Sequence, residues 1–237
     1  MRVTDVLQQK VDAARKLLRR IAVEHAPATF ANSLGAEDMV LTDIIFGEGI
    51  PIEVFTLDTG RLPNETYALL DAIAARYGAR PRVLFPRSDA VEAYAASHGV
   101  NGFYNSIELR KACCHIRKVE PLRRALSGKR AWITGLRRDQ AVTREDLAVQ
   151  SFDTANGLMK FNPLTDWSHD EVWTYIRTHA VPYNALHDLG YPSIGCAPCT
   201  RAVAPGEDIR AGRWWWEQPD SKECGLHPAK PREPAAA

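Results

Sequence analysis

The chain of 237 residues has no stretch approaching eighteen uninterrupted apolar residues, so no segment reads as a membrane span. Its opening stretch, "MRVTDVLQQKVDAARKLLRR", carries acids and lacks the apolar core of a secretory signal, and the expectation is a soluble, cytoplasmic protein. A charge of one sign is also missing. The 30 Lys and Arg nearly balance the 29 Asp and Glu, so no global field would gather nucleic acid and any anion site must be built locally. No internal repeat is present, and neither GxxxxGK[ST] nor GxGxxG occurs. Cysteine is scarce: there are five, an odd number, in a chain large enough to fold without disulfide staples. In a reducing compartment such cysteines read as metal ligands or reactive thiols.

What is present is 45% hydrophobic residues arranged in an alternating strand and helix pattern, enough for one substantial domain. Leu7, Val11, Ala14, Leu18 and Ile21 recur at helical spacing within 4–23. "ATFANSL" (28–34), "IEVFTLDTG" (52–60), "RVLFP" and "RAWITGL" (130–136) read as strands. Helices are predicted after "GAED", from Pro63 toward Tyr77, and over 89–98. The fold class is therefore α/β, a mostly parallel, Rossmann-like sheet with helices on both faces. Ligands of such sheets sit beyond the carboxyl ends of the strands, here "SLGAED", "LDTGR" and "TGLRRDQ". From about residue 150 the pattern weakens, although Ser168 followed by Glu171 predicts a capped helix. Residues 1–205 are expected to form the nucleotide-binding domain with the cysteine-rich site, and 206–237 a C-terminal segment of the same domain.

Three constellations carry chemistry. "SLGAEDMVL" (33–41) follows a strand and opens a helix, so its amides are candidates to cradle a phosphate, while Asp58 and Thr59 of "LDTGR" are candidates for the sugar or base edge. Arg117 and Lys118, then Arg137, Arg138 and Arg144, then Arg210 and Arg213, concentrate cations at predicted loops, which suits a small polyanion. Cys113 and Cys114 are adjacent, and Cys196 and Cys199 form a CxxC pair. Four thiolates suit a 4Fe-4S cluster, a structural zinc ion or a redox pair. Adjacent helical residues point about 100° apart, which fits a single zinc ion poorly and the wider cube of a cluster better. The fifth thiol, Cys224 in "SKECGLHP", is either an unused surface cysteine or a nucleophile that swings into the nucleotide site.

The combination of "CCHIRKVEP", "GCAPCTR", "GRWWWE" and "ECGLH" with the loops above resembles the assimilatory adenylyl-sulfate and phosphoadenylyl-sulfate reductases, specifically their cluster-containing branch. The resemblance spans roughly residues 33–227. It implies a fold related to the PP-loop nucleotide enzymes, with Gly35-Ala36-Glu37 in place of the "SGGxDS"-like loop of ATP-using relatives. It implies that Cys224 attacks the sulfur of adenosine 5'-phosphosulfate, and that thioredoxin or a similar dithiol frees sulfite. By the same resemblance Cys113, Cys114, Cys196 and Cys199 hold one 4Fe-4S cluster. Lys118, Arg144, Arg210 and Arg213 then grip the phosphosulfate; Ser33, Leu34, Gly35, Ala36, Glu37, Asp38, Leu57, Asp58, Thr59, Gly60 and Gly135 line the nucleotide pocket, and His227 stands near the nucleophile. A homo-oligomer is compatible with it. The competing readings are a reductase of the 3'-phosphorylated substrate or of both, a cluster-bearing PP-loop enzyme that thiolates tRNA, and a four-cysteine zinc module without catalytic activity.

Overall fold

The computed structural model describes residues 3–140 and 146–218. A first helix, α1 (Val3–Glu24), leads into β1 (Ala28–Ala31), α2 (Ala36–Gly47), β2 (Glu53–Leu57), α3 (Asn64–Tyr77), β3 (Arg82–Leu84) and α4 (Ser88–His98). Then follow α5 (Ile107–Cys114), a π-helical turn (His115–Val119), α6 (Glu120–Leu126), β4 (Ala131–Ile133), β5 (Gln150–Asp153), β6 (Leu158–Phe161) and α7 (His169–Thr178). The strands form one sheet in the order β3-β2-β1-β4-β6-β5, parallel except for the edge strand β5.

Alternation along the strands divides the core. Phe30, Val54, Ile133 and Phe161 face the layer holding α1, α2, α3 and α7, whereas Phe55, Trp132 and Leu84 face α6. Strands buried on both faces have no polar alternation, which is why they read as short apolar runs. Helix α2 is apolar around most of its circumference because it lies between the sheet and α7.

All four predicted strands end earlier than their runs suggested, at Ala31, Leu57, Leu84 and Ile133, and at the first two the cause is visible. The Asn32 side chain accepts a hydrogen bond from Leu34 N (2.7 Å) and donates to Thr42 Oγ1 (2.8 Å), so β1 stops at Ala31. Asp58 Oδ1 accepts from Gly60 N (2.7 Å) just after β2 stops at Leu57. In both places a short polar side chain offers the backbone a turn instead of a ladder. The β5–β6 hairpin was not legible, since β5 is largely exposed and polar. The capped helix is present: Ser168 Oγ accepts from Glu171 N (3.2 Å), and Glu171 Oε2 accepts from Ser168 N (2.7 Å).

Candidate active site

A cavity of about 290 Å³ opens over the carboxyl ends of β1, β2 and β4. Ser33, Leu34, Gly35, Ala36, Glu37 and Asp38 form one wall, Leu57 and Thr59 another, and Gly135 a third. Lys118, Arg210 and Arg213 bring positive charge to it.

The loop after β1 is held by its own oxygens. Asp38 Oδ2 accepts from Ser33 N (2.6 Å) and Ser33 Oγ (2.5 Å), and Ser33 Oγ accepts from Gly35 N (3.3 Å). With Leu34 N bonded to Asn32, three consecutive amides are turned to side chains, and Leu34 adopts φ +64°, a left-handed conformation unusual for leucine. The amides of Ser33, Leu34 and Gly35 thus take side-chain acceptors of their own loop, while the whole stretch from Ser33 to Asp38 lines the cavity. Burial pushes the Asp38 carboxyl up to about 6 despite its bonds from Ser33. A Cβ on Gly135 would lie 2.2 Å from Asp38 Oδ1, so only glycine lets the loop after β4 approach this carboxyl.

The second loop is divided between cavity and support. Asp58 accepts from Gly60 N (2.7 Å) and Tyr67 Oη (3.0 Å), so it fastens the turn while Leu57 and Thr59 line the cavity. Gly60 has φ +68° beside Arg117, whose Nη1 donates to Thr59 O (2.6 Å). Thr59 Oγ1 in turn accepts from Cys196 Sγ at 3.3 Å, joining the cavity wall to the cysteine pairs.

The two cysteine pairs, more than eighty residues apart in sequence, meet in one apolar cluster with Phe103, Trp214 and Trp216. Cys113 is half-buried, Cys114, Cys196 and Cys199 are buried, and all four are free thiols. Cys113 and Cys114 close α5, and the π-helical turn carrying Arg117 and Lys118 follows at once. Burial pushes the Cys113 thiol up, and burial with the neighbouring Cys196 takes Cys199 up to about 12. Cys196 is also buried, yet Lys118, the Thr59 hydroxyl donating to the thiolate form, Arg213 and Arg117 bring it below the usual thiol value. Lys118 and Arg213 thus line the cavity and lend positive charge to the buried thiols as well. Among the described residues, no three His, Cys, Asp or Glu side chains are arranged as a set for a single metal ion.

Two candidate cations are engaged in ion pairs, Arg137 at the cavity wall and Arg138 beside it in sequence. Arg137 donates to Glu37 Oε1 (2.8 and 3.0 Å), Asp139 Oδ2 (3.3 Å) and Trp167 O (3.1 Å), and Arg138 pairs with Asp166. The predicted cationic loop thereby stabilises the fold at those two positions. Sequence reading also missed Trp132, Trp173, His187 and Trp214 as cavity-lining residues. The triple tryptophan was visible but its side chains' directions were not, because Trp214 turns inward through φ +42°. Gly195 is another unread requirement: a Cβ there would meet the Arg213 guanidinium at 2.3 Å. Arg144, Cys224 and His227 lie outside the described residues.

A parallel sheet with a loop-and-helix wall, cations and a cavity at its carboxyl edge defines an α/β protein of the PP-loop nucleotide-binding type. The family model "Phosphoadenosine phosphosulfate reductase domain" matches residues 27–202. Adenosine 5'-phosphosulfate reductase of Allochromatium vinosum is 56% identical over 98% of this chain and 92% of its own. The protein of the same name from Burkholderia cepacia is 54% identical over 95% of this chain and 90% of its own. A crystal structure of phosphoadenylyl-sulfate reductase from Candida auris, a phosphate complex, superposes with a TM-score of 0.69 at 28% identity, covering 86% of this chain and 98% of that one. The chain belongs to the adenosine 5'-phosphosulfate reductase family.

Proposed function

We propose that this chain is a cluster-containing, assimilatory reductase in which Cys224 is the nucleophile and a thioredoxin-like dithiol the reductant. The overall activity is reduction of adenosine 5'-phosphosulfate toward sulfite and AMP in sulfate assimilation, the activity named for its close relatives. The Cys224 thiolate attacks the sulfate sulfur, an S–S bond forms, and the bond from sulfur to the bridging oxygen breaks with AMP taking the electron pair. A partner thiolate then attacks Cys224 Sγ and expels sulfite. The partner's second thiol releases Cys224 as thiolate and leaves the partner as a disulfide. His227 tunes the Cys224 thiolate or supplies a proton.

The single observation that carries this reading is geometric: Lys118 and Arg213 line the cavity, and the Arg213 guanidinium lies 4.9 Å over the ring of Trp214, which packs in the pocket of buried thiols. Charge develops on the leaving phosphate, and these cations, with Arg210 and Arg144, are assigned to stabilise it. Four thiols in one apolar pocket with facing cations suit a 4Fe-4S cluster, held by Cys113, Cys114, Cys196 and Cys199. Such a cluster would supply structural and electrostatic support when bound. The adjacent thiols stand on regular helical backbone, with φ −63° and ψ −37° at Cys114, so they diverge as a broad metal body requires. No described helix is long and apolar enough to cross a membrane, and the free thiols support a cytoplasmic setting.

The test offers the purified protein adenosine 5'-phosphosulfate without reductant and weighs the tail peptide. A stable sulfonate on Cys224, absent in Cys224→Ser, is the expected result. An adduct formed only with the 3'-phosphorylated substrate would overturn the substrate assignment.

A further inference from the structure

The most deeply buried ion pair among the described residues lies outside the nucleotide cavity. Arg110, on α5, has a side chain 0% exposed, and Glu217, at the start of the C-terminal segment, 3%. The contact is bidentate: Arg110 Nε donates to Glu217 Oε1 and Nη2 to Oε2, each at 2.8 Å. The same guanidinium lies 4.6 Å from the Trp214 ring centroid, and Cys114 stands beside it. Residues 212–217 are fastened on their other side to the CxxC pair. Trp214 N donates to Cys199 O (3.1 Å), Arg201 N donates to Gly212 O (3.0 Å), and Glu217 N closes the turn on Trp214 O (2.8 Å). One short strap thus joins α5, which ends in Cys113 and Cys114, to the turn carrying Cys196 and Cys199.

Burying a guanidinium and a carboxylate incurs a desolvation cost that often cancels their attraction, so net stability does not by itself account for this pair. What lies directly beyond it is the chain leading to Cys224, seven residues after Glu217. Seven residues reach at most about 25 Å, so displacing their starting point shifts everything the thiol can reach.

We propose that the Arg110–Glu217 pair is the fixed post of the C-terminal arm, a positioning pair that holds the arm's origin against the cysteine site. The inference rests on the reading of Cys224 as nucleophile. Breaking the post leaves the loops after β1, β2 and β4 that wall the cavity in place but lets the arm start from many places.

The experiment uses the full chain with Glu217→Gln and Glu217→Asp, and AMP as the probe of the cavity. In Glu217→Gln the single-turnover rate of sulfonate formation on Cys224 is expected to fall about 10- to 100-fold, the scale of a lost orientation. AMP affinity stays within about two-fold, and tryptic cleavage after Lys222 accelerates. Glu217→Asp, which keeps the charge but shortens its reach, falls between; should the Gln variant not fold, it carries the test alone. Unchanged sulfonation and cleavage rates would overturn the proposal, as would loss of AMP binding in step with the rate, which marks a merely structural pair. If the unsubstituted protein forms no adduct on Cys224, the nucleophile assignment fails by itself, and the cleavage comparison still decides the post.

Discussion

Lys118 and Arg213 illustrate how little a cation's position in sequence says about its task. Both were candidates on the same grounds as Arg137 and Arg138; Arg137 lines the cavity with them while paired to Glu37, and Arg138 pairs with Asp166. Removing the Lys118 charge (Lys118→Ala) is expected to lower kcat/KM by roughly 10²- to 10³-fold, as for one oxyanion donor. An unchanged value would end its assignment to the leaving group. Gly195→Ala places a methyl 2.3 Å from the Arg213 guanidinium and should displace it. We expect kcat/KM to fall by roughly 10- to 100-fold, the scale of one charged hydrogen bond, with little change in Tm. Asp38 provides a pH signature. Its carboxyl is raised from 3.8 to about 6 by burial, so the folded protein holds a proton that the unfolded chain releases earlier. Its contribution to stability is therefore complete below about pH 4 and lost as pH rises through about 6, some ~3 kcal/mol in all. Thermal unfolding of Asp38→Asn across that window should lose this component of the pH dependence.

At the scale of elements, legibility followed periodicity. Helix α1 and the parallel strands were readable because burial repeats every 3.6 residues in one and covers both faces in the others. Strand ends were not, because Asn32 and Asp58 stop them through side-chain bonds no hydrophobic pattern records. The Ser168 and Glu171 box was readable from spacing alone, and its loss should cost about 1 kcal/mol. Ser168→Ala is accordingly expected to lower Tm by about 2–4 °C in calorimetry, without changing AMP affinity. The π-helical turn after Cys114 escaped prediction. Its sequence, "HIRKV", contains no breaker, but Pro121 follows two residues on and cannot donate to the Arg117 carbonyl, which a regular α-helical register would require.

At the scale of the whole molecule, the cysteine site and the strap of residues 212–217 form one unit. If the four thiols hold a cluster, reductive chelation of iron should bleach the visible absorption. Hydrogen exchange should then rise together in 107–118 and 196–217; independent changes would contradict a shared unit. The sequence by itself determined the α/β class, the loops at the strand ends and the two cysteine pairs, because those rest on local spacing and residue chemistry. Only the tertiary structure decided that the pairs share one buried pocket, that Asp38 rather than a phosphate takes the Ser33 amide, and that Arg110 meets Glu217. Contacts across a hundred residues depend on how layers pack, and burial and charge pairing at such contacts leave no periodic trace in the chain.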